Sequence, residues 1–103
     1  MVTIFIHHQS EQEAQDMAIA LMELDLAVHA SIDKDNNSYT KRKGQVKKEI
    51  TYVLTLQTKA LLFDKIVDLV FKKCGEGVRI YSVPITQCNL PFAEAIRNNT
   101  ERI

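Results

Sequence analysis

Apolar and polar residues alternate at the start of the chain. Within residues 2–7, Val2, Ile4 and Ile6 fall on one face and Phe5 on the other, the period-two pattern of a strand. The period then lengthens. Ser10-Glu11-Gln12-Glu13 has the form of a capping box, in which the serine caps an early amide and Glu13 reaches back. Ala14, Met17, Ala18, Leu21 and Met22 follow at helical spacing and predict a first helix over 11–24. Residues 27–32 predict a second strand, and the Asp- and Asn-rich segment 33–38 predicts a turn. A long β-run over 49–58 follows a basic stretch. Thr58 is placed to cap a second helix with a buried stripe of Leu62, Ile66, Leu69 and Val70. Gly75 and Gly77 end that helix. Residues 78–86 predict a last strand, and Asn89 ahead of Leu90-Pro91 starts a short final helix with Phe92 and Ile96 inward.

The element order β-α-β-β-α-β-α predicts an α+β fold: a ferredoxin-like βαββαβ sandwich with a short C-terminal helix. Right-handed crossovers give a four-stranded antiparallel sheet in the order 4-1-3-2, with the helices on one face. Pro84 suits the edge position of the last strand. Alternation puts Phe5, Val53, Tyr81, Val83 and Ile85 on the face away from those helices. An apolar sheet face of that size calls for a partner, so self-association is expected.

Size and charge narrow the function. A chain of 103 residues fits one domain over 1–103. Formal net charge is zero, so nothing in the overall balance calls for nucleic acid or a membrane surface. No apolar run approaches the ~20 residues that span a bilayer. The segment 1–8 reads as a strand and not as a signal peptide. Cys74 and Cys88 form no CxxC pair, which fits free thiols and a cytoplasmic location.

His7, His8 and His29 are the metal-ligand residue types of the chain. Neighbours on a strand point to opposite faces, so His7 and His8 do not share an ion on a regular strand. In the order 4-1-3-2, His7 and His29 lie on lines roughly 9.5 Å apart, so a joint site needs a second subunit or a bent strand end. Asp33-x-Asp35-x-Asn37 starts like a calcium loop but has Ser38 and Gly44 where glycine and a bidentate glutamate belong. Lys41, Arg42, Lys43, Lys47 and Lys48 form a basic cluster, which on a hairpin is a solvated face or an anion contact. No enzyme class is supported. Cys74 has lysines but no histidine near it in sequence and reads as a small apolar residue at a helix end. The loop 7–10 lacks the phosphate-holding arginine of small acylphosphatases.

Several stretches together resemble the CutA family, over about residues 2–98. Leu26-Ala27-Val28-His29-Ala30-Ser31-Ile32 is similar to the family's Leu-Ala-Ala-Cys-Val-Asn-Ile segment. Tyr39 and Gly44 lie close to a Tyr-Trp-Trp-x-Gly hairpin motif, and the spacing from Gly44 to Thr58 matches. Val83-Pro84-Ile85 matches an Ile-Pro-Ile strand. The double tryptophan is absent, and the His-Pro-Tyr-Glu-x-Pro motif keeps only Glu76. His29 stands for the strand-two cysteine and Ile6 for a strand-one cysteine. The resemblance implies a non-enzymatic homotrimer acting in divalent-ion tolerance. The ion would be copper or zinc, held by His29, His7 and Glu76. The alternative is a PII-like regulatory trimer that binds a small anion or nucleotide between subunits. Its contacts would be Tyr39, Lys41, Arg42 and Lys43 on the hairpin 39–48.

Overall fold

A computed structural model describes residues 1–102. The chain runs β1 (Val2–His8), α1 (Glu11–Glu23), β2 (Ala30–Arg42), β3 (Gln45–Thr58), α2 (Phe63–Cys74), β4 (Arg79–Pro84) and α3 (Leu90–Asn99). The strands form one sheet in the order β2-β3-β1-β4, every neighbouring pair antiparallel. This is the predicted 4-1-3-2 order read from the other edge, with Pro84 at the end of the edge strand. The ferredoxin-like α+β arrangement is therefore the one the element order implied.

Burial on β1 alternates without a break: Val2, Ile4, Ile6 and His8 are buried, and Thr3, Phe5 and His7 are half-buried. The inner face meets Leu54 and Leu56 of β3, Met17, Ala18 and Leu21 of α1, and Ile66 and Val70 of α2. A core built from these residues fixes β1 in register, because a one-residue slip would put His7 and Phe5 inside.

Helix α1 begins as expected. The Ser10 hydroxyl accepts from the Glu13 amide at 3.1 Å, and Glu13 Oε2 accepts from the Gln9 amide at 2.9 Å. Its end has no glycine. Asp25 takes φ 57°, the Leu26 amide donates to Leu21 and the Asp25 amide to Met22. These are the bonds of a Schellman cap, with buried Leu26 closing onto Leu21.

Four local expectations change. Segment 33–38 is not a turn: β2 continues through it, with a register shift between Asp33 and Asn36 and Asp35 at φ 55°. Aspartate tolerates that left-handed geometry, so the same residues that favour turns here build a bulge inside a strand. The second strand starts at Ala30 rather than 27 and runs on to Arg42. The third starts at Gln45, ahead of the expected 49. The turn between them is Lys43-Gly44, both at positive φ, as a two-residue type I′ hairpin requires. Thr58 does not cap α2. Its hydroxyl donates to the Leu26 carbonyl at 2.7 Å, and a 3-10 turn over Ala60–Leu62 precedes the helix. Gly75 does end α2, at φ 85°.

β1 pairs with β3 only from Tyr52 onward, whereas β2 pairs with β3 all the way to Gln45. The hairpin therefore runs past the rest of the sheet as a two-stranded arm. Tyr39, Val46 and Ile50 are exposed on it. On the sheet's outer face Phe5 stacks on Tyr81 with ring centroids 5.3 Å apart, and Tyr81 and Val83 each remain 47% exposed. Helix α3, capped by Asn89 on the Phe92 amide, buries Ala93 and Ile96 but leaves these two open. No helix among the described residues is long and apolar enough to cross a membrane.

Candidate functional site

The topology brings two chain junctions to one end of the sheet. β1 ends at His8, and α1 begins three residues later. α2 ends at Cys74 and leads into β4, whose first residue, Arg79, pairs with His7. The end of α2 is thereby held beside the end of β1 and the first turn of α1. His8, Glu13 and Cys74 meet there, with a ligand-type atom from each within 4.8 Å of the others.

Each is positioned by its own element. His8 continues the inward face of Val2, Ile4 and Ile6, and it is 0% exposed. Glu13 sits in the first turn of α1, its carboxylate anchored by the Gln9 amide. Cys74 is the last residue of α2 and is half-buried. His8 Nδ1 lies 3.4 Å from Glu13 Oε2 without hydrogen-bond geometry, and the two form an ion pair only when the ring is protonated. Neither ring nitrogen of His8 has a hydrogen-bond partner. A buried polar group left so costs about 1–3 kcal/mol.

The electrostatics follow from burial. Burial lowers the His8 pKa, against the pull of the Glu13 carboxylate, so the ring is neutral near pH 7. Burial pushes the Cys74 thiol up to about 12, and the Glu13 carboxylate adds to the rise. Burial would raise Glu13 as well, but the Gln9 amide, Cys74 and His8 together hold it below the usual carboxylate value. Glu13 and Cys74 also line a surface cavity of ≈ 290 Å³, with Asp16, Met17 and Lys73. Imidazole, carboxylate and thiol are the donor set of borderline transition-metal ions, and a thiol of such high pKa is a poor nucleophile.

The metal ligands expected from sequence lie elsewhere. His7 is on the outer face, its Nε2 3.3 Å from the Tyr81 hydroxyl and its Nδ1 3.4 Å from Thr51 Oγ1. His29 is exposed ahead of β2, and Glu76 is exposed between α2 and β4. These three do not form a ligand cluster within the chain; among the described residues the one such group is His8, Glu13 and Cys74. Of the hairpin contacts, Tyr39, Lys41, Arg42 and Lys43 are all exposed on the arm. Arg42 lines a cavity of ≈ 80 Å³ together with His7, Glu49 and Arg79.

Two signals for the cluster were present in the sequence. Period two places His8 on the Ile4 and Ile6 face. The βαββαβ order places the α2–β4 junction beside the β1–α1 junction. Reading Cys74 only against its sequence neighbours missed the histidine that the fold brings to it.

The same frame occurs in solved structures. The divalent cation tolerance protein from Thermus thermophilus superposes with a TM-score of 0.92 at 26% identity, covering 98% of this chain and 100% of that one. CutA1 from Oryza sativa gives 0.93 at 18% identity, over 99% and 94%. The periplasmic divalent cation tolerance protein CutA from Archaeoglobus fulgidus gives 0.91 at 23% identity, over 98% and 100%. A search of curated proteins found no match. The family model described as CutA1 divalent ion tolerance protein matches residues 2–99, which takes in every element of the fold, and the chain therefore belongs to that family.

Proposed function

We propose that the protein is a homotrimer that acts in divalent-ion tolerance by binding ions rather than by catalysis. The observation that carries the assembly is the outer sheet face, where Tyr81 and Val83 stay exposed beside half-buried Phe5, away from the core that α1 and α2 close. Large apolar side chains gain roughly 1.5–3 kcal/mol each when they leave water. The projecting hairpin supports the same reading, because a free two-stranded ribbon is marginal in water and Tyr39, Val46 and Ile50 offer it an apolar contact surface. Threefold stoichiometry is part of the proposal, and the family's description as divalent ion tolerance proteins supports the ion class. A cytoplasmic location is part of the proposal and suits two free thiols. Light scattering at micromolar concentration tests the assembly: three times the chain mass is expected, and a monomer would overturn it. Growth of a metal-sensitive strain in excess zinc or copper, with and without the chain, tests the role.

A second reading has one observation of its own. Arg42 and Arg79 line the small cavity at the root of the hairpin with His7 and Glu49, and the two guanidinium groups against one carboxylate would suit an anion in a PII-like regulatory trimer. A thermal-shift panel of nucleotides and inorganic phosphate tests it, since a ligand bound only by the native state raises its melting temperature.

A further inference from the structure

We propose that His8, Glu13 and Cys74 form a binding site for one borderline transition-metal dication, of the zinc and cobalt class, in each chain. The inference rests on the divalent-ion reading above and assigns it residues that the sequence comparison with the family does not.

Three observations carry it. First, the donors are already grouped. A tetrahedral ion with bonds of about 2.0–2.3 Å holds its ligand atoms roughly 3.3–3.8 Å apart. His8 Nδ1 and Glu13 Oε2 are at 3.4 Å, and all three ligand atoms lie within 4.8 Å of one another. The 4.8 Å limit exceeds that spacing by about an ångström, a shift asked of the half-buried Cys74 side chain. Second, His8 is fully buried with neither ring nitrogen hydrogen-bonded. An apolar residue of similar size would pack there without that penalty, whereas an ion satisfies a ring nitrogen. Third, the site has an entrance. Glu13 and Cys74 line the ≈ 290 Å³ surface cavity, with Asp16, Met17 and Lys73, so two of the three donors can be reached from outside.

The donor set also selects the ion. One thiolate, one imidazole and one carboxylate suit zinc, cobalt and neighbouring ions, and they suit calcium or magnesium poorly, because those ions take oxygen ligands. The Glu13 carboxylate is oriented by the Gln9 amide in the way that groups behind a metal site orient its ligands.

The test uses the full chain in its native assembly, stripped with a chelator and titrated calorimetrically with Zn²⁺. One ion per chain is expected, with His8→Ala, Glu13→Gln and Cys74→Ser each weakening binding by about tenfold or more. Co²⁺ should give a thiolate-to-cobalt charge-transfer band that Cys74→Ser abolishes. Should His8→Ala fail to fold, Glu13→Gln and Cys74→Ser alter less buried groups and read the same site. Zn²⁺ binding that survives these two variants, or that falls instead in His7→Ala or His29→Ala, overturns this site and leaves divalent-ion binding standing. No binding of either ion overturns both.

Discussion

At the scale of single residues, His8 couples stability to pH. Burial lowers its folded pKa below the ordinary 6.5, so the unfolded chain takes up the proton first. Its contribution to stability is complete above about pH 6.5 and declines as pH falls below that value. His7 is lowered too, by burial, Arg79 and His8, and adds to the same acid-side loss. Glu13, also lowered, adds stability above about pH 4.5 that is lost as pH falls through its folded value. In metal-free protein the urea midpoint should therefore drop between about pH 7.5 and 5.5. The drop should shrink in His8→Gln, and an equal slope in that variant would assign the effect elsewhere. Ser10 is a separate case. Ser10→Ala removes the acceptor of the Glu13 amide and should cost about 1 kcal/mol in urea unfolding. The loss of that cap also loosens the turn that holds Glu13 against His8.

Among the elements, the β2–β3 hairpin differs most from its sequence reading. Asp33 to Ser38 has the composition of a turn, yet partners on β3 hold it extended and confine the irregularity to one bulge at Asp35. Pairing along a long partner strand overrides local preference, because each ladder bond satisfies a backbone group that a turn would leave to water. The true turn is at Lys43-Gly44, where lysine sits at φ 50°. Lysine does not favour that region, whereas asparagine does. Lys43→Asn should stabilise the fold by about 0.5–1 kcal/mol, read as a higher urea midpoint with unchanged slope. A lower midpoint would mean that the turn is not of type I′ in solution.

For the whole molecule, the open sheet face sets the behaviour. Val83 lies on the edge strand β4, opposite Thr3 and half-exposed on that face. An arginine there is tolerated in a monomer, but a packed interface would have to bury its charge. Val83→Arg should lower the mass seen by light scattering while the circular dichroism of the fold persists. An unchanged mass, at three times that of the chain, would move the proposed interface to another surface.

Much of this protein was legible in its sequence. The inward face of β1, the capped start of α1, the end of α2 at Gly75 and the strand order all follow from period, caps and crossover handedness, which act over short stretches of chain. The outward position of Phe5, Tyr81 and Val83 follows from alternation alone. The tertiary structure decided three things. It turned the Asp-Asn segment into strand, because a paired partner supplies the hydrogen bonds. It moved the Thr58 hydroxyl from a helix cap to the Leu26 carbonyl, because a 3-10 turn separates Thr58 from α2. It also joined Cys74 to His8 and Glu13. Which helix residue lies over the end of a strand depends on the rotation and axial position of α2 on the sheet. Those are set by packing against residues far away in the chain, and no local pattern records them.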